Sequence, residues 1–123
     1  MAVGKATFES DALSVTVGPL VAAVDAGQVA YAFGWLGITA ADGVSGGYVA
    51  LTIEECEYQF TVPAALPVSK GTIVYITLAT VTNYIPTDAA YTTTPGAGKW
   101  ALFKATSAKD ANNIVTGKYL LGV

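Results

Sequence analysis

Residues 48–62 read YVALTIEECEYQFTV, and the phase of their apolar side chains decides the fold. The buried positions are odd-numbered up to Ile53, whereas they are even-numbered from Cys56 onwards. Alternation with a period of two is the pattern of a β-strand with one buried face, and a regular strand cannot change phase. The stretch therefore predicts two strand segments separated by a bulge or a turn at Glu54 and Glu55.

The same stretch carries three of the chain's nine acidic residues, Glu54, Glu55 and Glu57. They are open to three interpretations: solvated carboxylates on a strand, charges at a partner interface, or an acid/base pair. Paired-carboxylate hydrolysis needs two acids in one cleft, one with a pKa raised by burial, and nothing in the sequence places an apolar wall beside two of them. We expect Glu55 and Glu57 on the solvent face, with Glu54 at the kink.

The rest of the chain repeats this alternation in short segments separated by turn residues. The further strand candidates are ALSVTV at 12–17, TIVYITLATV at 72–81, KWALFKAT at 99–106 and KYLLGV at 118–123. No segment has the spacing and caps of an amphipathic helix, and SAKDAN at 107–112 allows at most one helical turn. We predict an all-β, single-domain β-sandwich or small β-barrel with short turns over residues 12–123, preceded by a flexible N-terminal arm at 1–11.

The composition restricts the function classes. The chain has 123 residues, of which 53% are hydrophobic and only 12% are charged, and its net charge is −3. No uncharged run is long and apolar enough for a spanning helix and no signal peptide is evident, so we expect a soluble protein used without export. The six cations are scattered lysines, which argues against nucleic-acid binding. Such low charge favours a large protein–protein interface.

The side chains needed for common catalytic sites are missing from the sequence. There is no histidine, which excludes Ser-His-Asp and Cys-His pairs and imidazole metal ligands. Cys56 is the single cysteine, and we expect it to be a small buried hydrophobe. GAGK at 96–99 lacks the first glycine and the Ser or Thr of a phosphate-binding loop, and therefore predicts a tight turn. We expect no enzyme activity, no metal and no cofactor.

The aromatic residues form a further candidate site. Tyr31, Phe33 and Trp35 alternate along the sequence, which predicts a row of rings on one strand face. The row is open to three interpretations: part of the core, a protein interface, or a platform on which sugars stack.

The order of several short motifs is similar to that of a known family. The matching positions are Phe60 through Pro63, Ala64-Ala65, Gly71 with Val74-Tyr75, and Gly117 with the final Leu120-Leu121-Gly122-Val123. Over residues 12–123 the chain resembles the capsid decoration (cement) proteins of tailed phages that carry a small all-β domain formerly of unknown function. It departs from them at Glu55-Cys56, where family members usually have a glycine.

The resemblance implies a structural virion protein, made in the cytoplasm of a bacterial host, that stabilises the outer surface of a phage capsid by bridging capsomers. Its partner would be the major capsid protein, and it would form a homodimer or homotrimer at a symmetry axis. The candidate contact residues are Val3, Lys5 and Phe8 in the arm, with Tyr31, Phe33, Trp35, Glu55 and Glu57 in the domain. The alternative is a carbohydrate-binding or adhesion module that uses exposed aromatic side chains.

Overall fold

The computed structural model describes residues 14–120, which form eleven short strands. The strands are β1 Ser14–Val17, β2 Val29–Ala32, β3 Trp35–Thr39, β4 Val49–Thr52, β5 Glu57–Thr61, β6 Ile73–Thr77, β7 Val81–Thr82, β8 Ile85–Pro86, β9 Tyr91–Thr92, β10 Lys99–Ala105 and β11 Ile114–Tyr119. The prediction of an all-β domain is confirmed, and the sheets pack as a small sandwich without closing into a barrel. The predicted arm at 1–11 lies outside the described residues.

Two antiparallel sheets make up the sandwich. The first sheet has the strand order β1-β4-β3-β2 and the second has the order β5-β11-β10-β6-β9, while β7 and β8 form a separate hairpin. Two short 3₁₀ turns, Leu78–Thr80 and Asp88–Ala90, connect strands beside the second sheet. In residues 14–120, no helix is long and apolar enough to cross a membrane.

The phase change in the opening stretch marks the passage from one sheet to the other. β4 ends at Thr52 in the first sheet, and β5 begins at Glu57 in the second. Val49 and Leu51 are buried before the change, and Phe60 and Val62 are buried after it. The predicted interruption at Glu54 and Glu55 is confirmed. It is a crossover between two sheets, because the two strands face the core from different layers.

Two predictions about local structure need correction. The segment 72–81 is interrupted after Thr77 by a 3₁₀ turn, so only Ile73–Thr77 forms the interior strand β6. The helical turn considered at 107–112 is wrong, because Asp110 shapes this segment into a turn. Its Oδ1 atom accepts hydrogen bonds from the N–H groups of Asn112 and Ile114, at 2.8 and 3.0 Å.

The hydrophobic core lies on both faces of the first sheet. Leu36 packs between the sheets with Phe60 and Phe103, whose rings stack at 4.2 Å. The opposite face of the first sheet is covered by the segment after β1, which buries Leu20 and Val24 against it. The first sheet is therefore the middle layer, and its loops and hairpin tips provide the outer surface of this half of the molecule.

Tyr119 joins the two sheets through a polar contact within the core. Its side chain is fully buried on β11, and its hydroxyl donates a hydrogen bond to the carbonyl of Leu36 on β3. Burial raises the pKa of Tyr119 to about 12. Tyr91 also has a pKa raised to about 12, through burial and the nearby Asp88 carboxylate.

We expect Tyr119→Phe to lower the free energy of unfolding by about 1–3 kcal/mol, because the buried Leu36 carbonyl loses its partner. Since the folded state raises the pKa of Tyr119 above 10, the unfolded value, its contribution is complete below pH 10 and is lost as the pH rises towards 12. Urea unfolding between pH 7 and pH 11 measures both effects. A variant as stable as the parent at pH 7 would contradict the role of this hydrogen bond.

Candidate interaction surface

The exposed hydrophobic side chains are concentrated on one half of the molecule. Among residues 14–120, the large hydrophobic side chains that are exposed are Val21, Phe33, Trp35, Val44 and Tyr48, with 46–75% of their surface accessible. All of them belong to the first sheet or to the loops that connect its strands. We call these five residues the apolar surface.

The same half of the molecule is almost free of charge. Between residues 14 and 53 the only charged side chains are Asp25 and Asp42. Asp42 has a structural role, because its Oδ1 atom accepts a hydrogen bond from the N–H of Ala26 at 2.8 Å. The five lysines of residues 14–120 all lie in the second half of the chain. Aromatic side chains in a region depleted of charge are typical of the buried centre of a protein interface.

Two hairpin tips meet at the apolar surface. Phe33-Gly34 connects β2 to β3 and Asn83-Tyr84 connects β7 to β8, and all four residues have positive φ angles, between 48° and 83°. These angles define type I′ turns, in which glycine and asparagine are the favoured residues. The rings of Phe33 and Tyr84 stack at 5.9 Å with 24° between their planes. Each turn thus holds an aromatic residue in a backbone conformation that is unfavourable for it.

Tyr84 fixes its hairpin tip to the first sheet. Its carbonyl accepts a hydrogen bond from the N–H of Tyr31 at 2.7 Å, and its hydroxyl accepts one from the N–H of Val21, also at 2.7 Å. With Phe33 stacked on its ring, Tyr84 is held from three directions. Phe33 therefore stacks on a ring that is itself fixed, which lowers the entropy that Phe33 loses when a partner binds.

The predicted row of three rings on one strand face is wrong. The chain turns at Phe33-Gly34, so Tyr31 lies on β2, Phe33 lies in the turn and Trp35 lies on β3 opposite Ala32. Tyr31 is half-buried and its ring packs edge-on against Trp100 at 5.4 Å. Phe33 and Trp35 are 53% and 46% exposed. The turn separates the core ring of Tyr31 from the two surface rings.

We expect Phe33→Asn to keep or raise the free energy of unfolding, by up to about 1 kcal/mol, because asparagine tolerates the positive φ angle that phenylalanine does not. The loss of the Phe33–Tyr84 stack offsets part of this gain. Urea denaturation compared with the parent checks the prediction. A loss of more than 1 kcal/mol would show that the turn is held mainly by the aromatic stack.

The glutamates lie apart from any enclosed site. Glu54 and Glu55 are exposed in the crossover, and Glu57 is exposed at the start of β5, which confirms the predicted solvent-facing arrangement. The carbonyl of Glu54 accepts a hydrogen bond from the N–H of Cys56 at 2.9 Å, which shapes the kink. Cys56 is half-buried, which corrects the prediction of a buried side chain at this position.

The candidate contact residues of the N-terminal arm are not placed by the structure, and the described residues hold no metal-binding cluster. Val3, Lys5 and Phe8 lie outside the described residues. Among residues 14–120, no group of three or more histidine, cysteine, aspartate or glutamate side chains has an arrangement that could hold a metal ion.

A cleft of about 440 Å³ opens between the sheets. Its walls include Val29 and Ile38 from the first sheet, Phe60 and Thr61 from β5, and Tyr91 from β9. The residues that line it carry apolar, amide and hydroxyl groups and no formal charge at neutral pH. Such a cleft can accept apolar or neutral polar groups, but it presents no charged acid or base for catalysis.

Several surface residues were not predicted from the sequence. Val21 and Val44 stand in loops and Tyr84 stands in a turn, where alternation carries no information. Tyr48 lies on the side that alternation leaves outward, opposite Val49 and Leu51, but the sequence did not mark it as part of a contact surface. The sequence did contain one usable signal, because Phe33-Gly34 and Asn83-Tyr84 each include a residue that favours positive φ angles. A prediction of two-residue hairpins at these positions would have placed Phe33 and Tyr84 at the hairpin tips, where the structure has them.

Comparisons with known proteins found no similar protein whose function could help to interpret this surface. The chain matches no model of a protein family, no curated protein and no solved structure.

Proposed function

We propose that this chain is a structural protein that binds the outer surface of a phage capsid through its apolar surface and stabilises the shell by bridging neighbouring capsomers. The observation that carries the proposal is the concentration of all five large exposed hydrophobic side chains of residues 14–120 on the half of the domain that is nearly free of charge. Exposed hydrophobic side chains that are concentrated on one part of a protein often mark an interaction site. The motif order, which resembles that of decoration proteins, supports the major capsid protein as the partner.

In the proposed mechanism, every bound copy buries part of its apolar surface against the capsid, and the contributions of all copies add up. Each copy covers Phe33 and Trp35 with the major capsid protein, and the sum over many symmetry-related copies opposes the outward pressure of the packaged genome. Aromatic side chains held in place before binding are typical of the residues that dominate interface energies. The function requires no catalysis and no cofactor. The protein would act on the outside of the virion, as a homodimer or homotrimer, after synthesis in the host cytoplasm.

Co-sedimentation with capsids tests the proposal. Expanded heads that lack this protein, prepared from the phage that encodes it, are mixed with the purified chain and pelleted. We expect saturable binding at micromolar concentration or below, and a higher temperature of head disruption after binding. The double variant Phe33→Ser/Trp35→Ser should not pellet with the heads. A parent chain that stays in the supernatant at micromolar concentration would refute the proposal.

The exposure of Phe33 and Trp35 also favours a second candidate, a carbohydrate-binding or adhesion module in which sugar rings stack on these side chains. Trp100 is a poor platform because it is half-buried against Tyr31. Glycan-array binding that is abolished by Trp35→Ala, together with no capsid binding, would favour this candidate over the first.

A further inference from the structure

β5 is an edge strand whose outer side has no partner within residues 14–120. It is the terminal strand of the second sheet and pairs only with β11. Glu57, Gln59 and Thr61 are exposed along it, and Glu57 is the only charged residue in the strand. Natural sheets usually protect such edges with charged side chains, a proline, a bulge or a covering loop, and within β5 Glu57 is the only residue of these kinds. An open edge with one charge is a template for another strand.

The hydrogen bonds show which groups this edge presents. Flanking β5, the N–H of Tyr119 donates to the carbonyl of Cys56 at 3.1 Å and the N–H of Val62 donates to the carbonyl of Asn113 at 2.9 Å. Hydrogen bonding alternates along an antiparallel pair, so the even-numbered residues of β5 bond to β11. The N–H and C=O groups of Glu57, Gln59 and Thr61 therefore point away from β11 along the open edge.

We propose that β5 pairs antiparallel with β5 of a second copy of this chain, across a two-fold axis at Gln59. The three outward residues of each copy then exchange about six backbone hydrogen bonds. The two second sheets become one continuous sheet that crosses the axis. This inference stands on the register of β5 and is independent of capsid binding.

The sequence of β5 is complementary to itself in this register. With Gln59 opposite its symmetry mate, Glu57 lies opposite the partner's Thr61, and Tyr58 lies opposite the partner's Phe60. No like charges face each other, and two aromatic pairs form across the axis, both of which favour antiparallel pairing. A two-fold axis at Glu57 would instead place two carboxylates opposite each other. An axis at Thr61 would place Gln59 opposite Pro63, which has no N–H to donate. Charge and hydrogen bonding together therefore favour the register centred on Gln59.

The cleft beside β5 gives the added aromatic side chains apolar surroundings. Tyr58 and Phe60 line it, together with Val29, Ile38 and Ile85. The partner's Tyr58 and Phe60 point to the same side of the extended sheet, next to this cleft. The Tyr58 ring, which is only half-buried in one copy, then gains apolar neighbours, whereas Phe60 is already buried against Phe103. The open edge of β5 and the apolar cleft beside it together favour a second copy of this chain as the partner that pairs with β5.

Sedimentation velocity of the full chain, between about 1 and 200 µM, tests the pairing. We expect a reversible monomer–dimer equilibrium. Thr61→Glu should raise the dissociation constant several-fold, because each new carboxylate faces the partner's Glu57, and Thr61→Lys should lower it several-fold for the opposite reason. Both differences should shrink in 0.5 M salt. Thr94→Glu and Thr94→Lys, at an exposed turn residue, control for the change in net charge.

A backbone variant tests the edge itself. Gln59→Pro removes an N–H that points away from β11, so it should leave the fold intact and abolish the dimer, whereas Gln59→Ala should dimerise like the parent. A parent chain that remains monomeric over the whole concentration range overturns the proposal. So does a dimer that survives Gln59→Pro, or a pair of Thr61 charge variants that shift the equilibrium in the same direction.

Discussion

Phe103→Ala is expected to lower the free energy of unfolding by about 3–5 kcal/mol, the largest effect of a single substitution that the structure predicts. Phe103 is completely buried on β10, and its ring stacks on Phe60 at 4.2 Å with 6° between the planes. The ring also lies close to Gly117, where a Cβ atom would collide with it. Removing the ring leaves a cavity that the surrounding strands cannot fill by small movements.

The matched control for Phe103→Ala is the next residue on the same strand. Lys104 is exposed, so Lys104→Ala should change stability by less than about 0.5 kcal/mol. Urea unfolding followed by tryptophan fluorescence measures both variants. If Phe103→Ala cost less than 1 kcal/mol, the stacked pair would not be the centre of the core.

Trp35→Ala is expected to weaken capsid binding by about 2–4 kcal/mol, which corresponds to a loss of roughly 30-fold or more in affinity. Trp35 is the largest side chain of the apolar surface and is 46% exposed. Because it contributes little to the core, the fold should be retained. Titration of heads with labelled protein measures the affinity, and circular dichroism monitors the fold.

The control for Trp35→Ala lies on the other half of the domain. Lys118→Ala removes an exposed side chain from β11 and should leave the affinity for heads unchanged within about twofold. A loss confined to Lys118→Ala would show that the second sheet, and not the apolar surface, contacts the capsid. A loss confined to Trp35→Ala would locate the contact on the first sheet.

Much of the fold could be predicted from alternation alone. The phase change between Ile53 and Cys56 correctly marked the end of one strand and the start of another, because side chains of a regular strand alternate between its two faces. The pattern could not show that these strands belong to different sheets. That assignment depends on pairing with β1 and with β11, and these contacts are distant in the sequence.

The surface was harder to predict than the core. Phe33 fits the alternation of Tyr31 and Trp35, so the sequence pattern favoured one strand over the hairpin that forms. An aromatic residue at a positive φ angle contradicts local preference, and such conflicts are more common at functional sites than elsewhere. The conflict at Phe33 and Tyr84 is a further reason to place the contact surface at these hairpin tips.

The central claim is that the half of the domain containing the first sheet binds the capsid. Hydrogen exchange with mass spectrometry, on the chain free and bound to heads, tests it most directly. We expect slower exchange on binding in residues 18–24, 31–36 and 43–48, with little change in β10 and β11. Slower exchange confined to β10 and β11, with residues 31–36 unchanged, would contradict it.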